Sequence, residues 1–250
     1  MKKPKAKPKP ELKIKRAIVL PDLHCPEHDE QSLAAVNKFM RENSPWDYLI
    51  YLGDVLDLNC ISSHNETNLR AVEGQRLLSD YRLADELILK PHEAIVRGSN
   101  RDARIIYIEG NHEDRVTRYV NASPQMEGLI EPNIVLNLHN RGIEWIPYWS
   151  TGQVFKIGRA TFIHGRYTND GHAKKHALRY GCDVFMATRT VPIAIAMNCM
   201  AGLIRRMWPR ASAVCASQCA GSRAYQINGS SRLACSIVCQ MAMSVTRSSE

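Results

Sequence analysis

The chain has 250 residues, 44% of them hydrophobic and 23% charged, the proportions of a soluble globular protein with room for one substantial core. Its net charge of +8 sits at the two ends: residues 1–16 carry eight basic residues against one acidic, and residues 187–250 carry seven against one. The body between them holds 18 basic and 23 acidic residues, which excludes crediting the basic pI of 9.1 to a nucleic-acid-binding face there and suits bound cations instead.

Residues 1–16 alternate Lys and Pro and have too little apolar surface to offset the entropy of ordering, so a disordered tail is expected. It reads as a solvated tail or as a loose electrostatic arm for nucleic acid. It has no apolar core of a secretory signal. Ala17–Leu20 predicts a buried strand, and Glu30–Glu42, with Leu33, Val36, Phe39 and Met40 at helical spacing, an amphipathic helix. Tyr48–Leu52 predicts the next strand, and Leu69–Val96 a long helical stretch through Leu77, Tyr81, Ala84 and Ile88. Arg104–Ile108 is a strand and Glu113–Tyr119 a short helix. Ile143–Ile146, Val154–Ile157 and Ala160–Ile163 are strands with no helix between them, the last two joined by a hairpin at Gly158-Arg159. Gly171–Tyr180 is a helix, and Val184–Met186 opens another strand. The alternation predicts an α/β sandwich of mixed β-sheets flanked by helices. The longest nearly apolar stretch, Val191–Ile204, contains Pro192 and Asn198 and is too short to span a bilayer, so a cytoplasmic protein without a membrane partner is expected. Oligomeric state leaves no mark in the sequence.

Four acidic and histidine-containing segments fall at strand ends: Asp22-Leu23-His24, Gly53-Asp54-Val55-Leu56-Asp57, Gly110-Asn111-His112-Glu113, and His164 closing Ala160–Ile163. Open α/β sheets place ligand sites at the carboxyl ends of their strands. Oxygen and imidazole donors converging there point to a metal centre. Two cations close together neutralise a phosphate ester, activate a water and orient its attack. Such a site needs a bridging carboxylate, which Asp54 suits, and terminal ligands, which Asp22, His24, Asn111 and His164 supply. His112, next to Asn111, is placed to act on the transferring group or to protonate the leaving group.

These segments resemble the calcineurin-like metallophosphoesterase superfamily, whose pattern is Asp-x-His, Gly-Asp-x-x-Asp, Gly-Asn-His-(Asp/Glu), a lone His, and Gly-His-x-His. The first four match within residues 17–186, in contexts common in phage and bacterial members. The resemblance implies a hydrolase of phosphomonoesters or phosphodiesters, nucleic acid or nucleotides among them. It implies two divalent metal ions, Mn, Fe, Zn or Ni. One would be held by Asp22, His24 and Asp54, the other by Asp54, Asn111 and His164. His112 would be the catalytic histidine. Asp57, Glu113 and Arg115 would orient neighbours or contact substrate. His28, His64, His92, His139, His172 and His176 match no ligand position and read as surface or outer residues, and Cys25 and Cys60 as bystanders.

The fifth segment is missing. After Asp183-Val184-Phe185-Met186 the chain reads Ala187-Thr188-Arg189-Thr190, and each metal would lose one histidine. From residue 187 on there is no Lys, His or Asp, and five of the eight Cys lie there. Reading the tail one base earlier turns Ala187 into Gly and permits His, Thr and His at the next three positions, which restores the motif. A single-base frameshift at Met186–Ala187 accounts for both changes. A four-thiolate zinc site from Cys215, Cys219, Cys235 and Cys239 is a rival reading of the tail. The expectations are therefore a metallophosphoesterase domain over residues 17–186 and an atypical tail over 187–250, with the C-terminal strands missing or disrupted. As written the chain should show low activity and marginal stability. The alternatives are an inactive relative or a non-catalytic nucleic-acid-binding module.

Overall fold

The computed structural model describes residues 13–167, 172–180 and 183–187, together with the short segments 193–194, 214–216, 225–226 and 237–243. β1 (Lys13–Leu20) begins inside the stretch expected to be a tail, because Lys13–Arg16 continue the strand; residues 1–12 lie outside the described residues. Lys15 Nζ donates to Asp47 Oδ1 at 2.7 Å and the Arg16 backbone N–H to Asp47 Oδ2 at 2.8 Å, which fastens that extension to the body.

α1 (Glu30–Glu42) opens on Asp29, whose carboxylate accepts the Ser32 N–H at 2.6 Å. Its apolar stripe, Leu33, Val36, Phe39 and Met40, is buried as the periodicity predicts. β2 (Tyr48–Tyr51) follows. The expected long helix is broken into parts. Leu69–Val72 makes only a 3₁₀ turn, and α2 (Leu77–Ala84) is joined to α3 (Lys90–Ser99) by one wide π-type turn over Asp85–Leu89. In that turn the Lys90 N–H reaches back to the Asp85 carbonyl, and Pro91, which has no N–H, follows immediately. β3 (Arg104–Ile108), α4 (Asp114–Ala122), the single turn α5 (Pro132–Val135) and β4 (Ile143–Ile146) come next.

β1, β2, β3 and β4 pair in parallel in that order. Both faces of this sheet are buried, which is why its strands read as unbroken apolar runs. Ile18, Leu20, Leu49, Tyr51, Ile105 and Tyr107 pack beneath the helices. Their alternates Ala17, Val19, Ile50, Leu52, Ile106 and Ile108 face a second sheet.

A short helix, α6 (Tyr148–Thr151), interrupts the strands expected to run without one. β5 (Phe155–Ile157) and β6 (Ala160–Ile163) form the expected hairpin, with Ile157 paired to Ala160 across Gly158-Arg159. Gly158, at φ 58°, takes the first position of a primed turn. α7 (His172–Tyr180) leads to β7 (Asp183–Met186), parallel to β6. Phe155, Phe162 and Phe185 fill the space between the two sheets.

The tail, whose strands are expected to be missing or disrupted, contributes short described segments to both sheets. After β8 (Ile193–Ala194), β9 (Val214–Ala216) pairs antiparallel with β7. β10 (Tyr225–Gln226) pairs with β8, and β11 (Ile237–Met243) runs antiparallel along β1. The rest of the tail, including Thr188-Arg189-Thr190, lies outside the described residues. Among the described residues no helix is long and apolar enough to cross a membrane.

Candidate metal centre

The loops after β1 and β2 continue side by side beyond the strands. The Leu52 N–H donates to the Leu20 carbonyl at 2.9 Å, Asp22 to Gly53 at 3.2 Å, His24 to Asp54 at 2.8 Å and Cys25 to Val55 at 2.8 Å. Asp22, His24 and Asp54 stand in this ladder with φ of 48°, 51° and 51°, a left-handed conformation that costs a non-glycine residue about 1–3 kcal/mol. All three were expected as ligands on the pattern alone. Strain held in place by surrounding bonds turns their side chains to one side.

Two glycines let the loops meet. A Cβ on Gly53 would stand 2.7 Å from Gly110 Cα and 2.8 Å from His164 Nδ1, and a Cβ on Gly110 would overlap the Asp54 carboxylate. The glycines in Gly53-Asp54 and Gly110-Asn111 are thus there for close approach.

Glu113 ties these loops together. Its carboxylate is buried and accepts from the Asp54 N–H at 2.9 Å, Val55 at 2.9 Å, Leu56 at 3.2 Å, Gly110 at 2.9 Å and the Tyr107 hydroxyl at 2.8 Å. Both of its oxygens are already bonded to the protein.

The histidines share one arrangement. His24 Nδ1 donates to Asp57 Oδ1 at 3.3 Å, His112 Nδ1 to the Asp57 carbonyl at 2.8 Å and His164 Nδ1 to the Leu52 carbonyl at 2.8 Å. Each bond fixes a ring and turns its Nε2 inward. The three Nε2 atoms lie 3.9, 3.8 and 3.3 Å from one oxygen, Asp54 Oδ2. Asn111 Oδ1 is 2.9 Å from His164 Nε2. Two ligand groups result, with atoms within 4.8 Å of one another: His24, Asp54 and His112, and Asp22, Asp54 and His164. Asp54 belongs to both groups. Asp22 falls in with His164, whereas the resemblance put it with His24.

The electrostatics of the site follow from burial opposed by close partners. Burial alone would raise Asp54, but His164 beside it holds the carboxyl well below the usual carboxylate range. Burial lifts Asp57 as well, and bonds from His112 and His24 more than reverse it. Burial raises Asp22. It works against a charged His164, yet Asp54, Asp22 and Glu113 outweigh it and lift that imidazole to about 10. The cluster so retains a proton as compensation for its carboxylates. A divalent cation supplies the same compensation from the same atoms, so the donor set fits a metal.

Several residues near the site left no signal in the sequence. Glu109, buried after β3, accepts from the Ser150 N–H and hydroxyl, both at 2.7 Å, and so fixes α6. α6 in turn sets Trp149 edge-on to His164, with ring centroids 5.8 Å apart. His176 bridges the His172 carbonyl, 2.9 Å from its Nδ1, and the Arg166 N–H, 3.0 Å from its Nε2, and braces the loop after His164. His92, His172 and His176 are buried, which excludes the surface alternative of their surface-or-outer reading. His92 is a core residue bonded to the Tyr51 hydroxyl at 2.9 Å. Burial pushes the Cys25 thiol up to about 12 and raises Cys60 too, which disfavours the thiolate in both.

Carboxylates and imidazoles gathered around one shared aspartate, on the carboxyl edge of a sandwiched parallel sheet, define a metal-binding class of α/β protein. The chain belongs to the calcineurin-like phosphoesterase family, whose sequence description matches residues 15–196. At the level of that family it is a metal-dependent phosphoesterase. Comparison with curated proteins gives no match.

Proposed function

We propose that the centre holds two divalent cations bridged by Asp54 and hydrolyses a phosphate ester. The observation that carries this reading is the convergence of three imidazole Nε2 atoms on the single oxygen Asp54 Oδ2, at 3.3 to 3.9 Å. Asp22 and His164 would hold one cation on their side of Asp54 with Asn111 beside them, and His24 the other. The cations would supply charge neutralisation and an activated water. His112 would face the phosphoryl group, with Asp57 and Glu113 holding the loops.

Each ligand set is one histidine short of the family pattern, because Ala187-Thr188-Arg189-Thr190 stands where Gly-His-x-His is due. Turnover is accordingly expected well below that of an intact member. Nucleic acid or a nucleotide is the favoured substrate class. Arg118 and Arg166 are exposed at the rim, Arg118 donating to the Asn111 carbonyl at 3.4 Å and Arg166 lying 5.4 Å over the Trp149 ring, so charge and an aromatic face adjoin the centre.

The test is calorimetric titration with Mn²⁺ beside hydrolysis of mono- and bis-(p-nitrophenyl) phosphate. Manganese binding should be present in the parent chain, absent in Asp54→Asn, and accompanied by weak turnover lost in the same variant. Undiminished binding by Asp54→Asn would overturn the bridged centre. Turnover equal to an intact family member would overturn the reading of a depleted one.

A further inference from the structure

The acidic balance of residues 17–186 is a sum over the whole body, and it hides a local excess of the opposite sign. The solvent-facing side of α7 is Lys174, Lys175, Leu178 and Arg179, and Arg166, in the loop after His164, is exposed beside it. Among the described residues none of these four cations pairs with a carboxylate, whereas Lys15, Lys90, Arg104, Arg118 and Arg141 each do. Arg115, close to the centre, points inward instead, its Nη1 donating to the Asp57 carbonyl at 2.5 Å. Like charges gathered without a counter-charge make a local field that attracts a polyanion.

Aromatic rings are interleaved with these cations, and the contacts lead from one to the next toward the centre. Lys175 Nζ stands 5.8 Å over the Tyr167 ring, and Arg179 Nη1 donates to the Tyr167 hydroxyl at 3.1 Å. Tyr167 lies against His176, with ring centroids 4.8 Å apart, and His176 Nε2 accepts the Arg166 N–H at 3.0 Å. Arg166 lies over Trp149, which meets His164 edge-on. The buried Tyr148 holds this line from beneath: its carbonyl accepts from Arg166 Nη2 at 3.0 Å and its hydroxyl from the Tyr180 hydroxyl at 3.4 Å. The line therefore runs unbroken from the exposed side of α7 to a ligand of the centre.

We infer that this line is a track for a single-stranded nucleic acid, along which a polynucleotide lies with one of its phosphodiesters at the centre. Successive cations suit successive phosphates, and rings set between them suit unstacked bases, the combination that holds single strands without regard to sequence. A duplex keeps its bases stacked on one another and leaves the rings without a partner. A mononucleotide brings one phosphate and one base to a surface built for several. The inference rests on the phosphoesterase reading for the site to which the track leads, and it narrows the substrate to a polymer strand.

The experiment follows the fluorescence anisotropy of a short fluorescein-labelled oligothymidylate with the full chain in EDTA, over a range of salt concentrations. The parent is compared with a variant carrying Lys174→Gln, Lys175→Gln and Arg179→Gln, exposed positions at which glutamine keeps the helix propensity. The variant should bind about tenfold or more weakly, and its slope of log affinity against log salt should be shallower by roughly 0.7 for each cation removed. Unlabelled oligothymidylate should displace the label better, per phosphate, than inorganic polyphosphate does. A variant with the parental affinity and slope overturns the inference and places the binding in the basic ends of the chain. Polyphosphate competing equally also overturns it, since charge alone would then explain the binding. Lys175→Gln alone reads the same slope should the triple variant fail to fold. Calorimetry with Mn²⁺ on the same parent reports the centre separately. Binding of the oligonucleotide without binding of manganese keeps the track and fails the metal centre, and the reverse result fails the track alone.

Discussion

The two sheets serve the centre unequally. The parallel sheet supplies Asp22, His24, Asp54, Asn111 and His112 from loops that brace one another through backbone bonds and the buried Glu113. The second sheet supplies His164 and then, directly after β7, a buried Ala187. The Ala187 carbonyl would stand 3.1 Å from a Cβ on Gly165, so the two strand ends touch there. The difference shows that one sheet sets the shape of the centre, while the other adds His164 to it.

The largest expected effect tests the bracing directly. Glu113→Ala would strand four backbone N–H groups and the Tyr107 hydroxyl in the interior. At roughly 1–3 kcal/mol for each unpaired group, the sum approaches the whole stability of a domain. No cooperative urea transition should be seen. Glu113→Gln, which keeps two of the acceptor lone pairs and turns a donor toward donors, should fold but unfold at markedly lower urea. A near-parental transition for the alanine variant would mean that the loops are held by something else.

The second expectation concerns the same layer under acid. Burial pushes His92 down to about 3, against an ordinary value of 6.5. The folded protein leaves it neutral while the unfolded chain binds a proton, so stability is greatest above pH 6.5 and falls as pH drops from there toward 3. The loss is on the order of 5 kcal/mol. His92→Gln, which still offers Tyr51 a partner, should move acid unfolding to lower pH. An unmoved midpoint would place the acid sensitivity in another group.

The third sharpens the contrast between sheets. Installing Ala187→Gly, Thr188→His, Arg189→Thr and Thr190→His together should raise manganese affinity by more than the ~10–100-fold that outer partners of a ligand contribute. Unchanged affinity in calorimetry would show that the second sheet no longer presents this position to the metals. Sequencing the gene across codons 180–200 from an independent template decides whether the motif was lost in the organism or in the record.

The smallest effect is set on the rim of the parallel sheet. Arg104 and Glu144 form an ion pair at 2.5 Å across β3 and β4, both about half exposed. Arg104→Ala should change stability by less than about 1 kcal/mol. A larger loss in denaturant titration would point to the stacking of Arg104 over Phe155 at 5.3 Å rather than to the charge pair.

Much of this architecture was legible in the sequence because burial on both faces writes a strand as an unbroken apolar run. Arg104–Ile108, Ile143–Ile146 and Ala160–Ile163 begin and end where that pattern does. The helix over Glu30–Glu42 was readable from its stripe and its capping Asp29. The break near Asp85–Leu89 was not, since a wide turn leaves helical spacing nearly intact and only Pro91 hints at it. At the centre, motif residues stood out by type and position. The partition of Asp22 toward His164 did not, because it depends on which way left-handed residues turn their side chains. Glu109 and His176 each act through a pair of hydrogen bonds, and no periodicity marks such bonds.

The saturated carboxylate of Glu113 has a consequence for how this kind of protein ages. Where metal ions alone hold ligand loops in shape, losing the ions erases the geometry, and selection has nothing left to act on. Here an internal anion plays the keystone, indifferent to whether chemistry still occurs above it. A lineage can then shed catalytic histidines and keep the outline of the old cleft for many generations. That outline remains a surface that a new ligand can adopt.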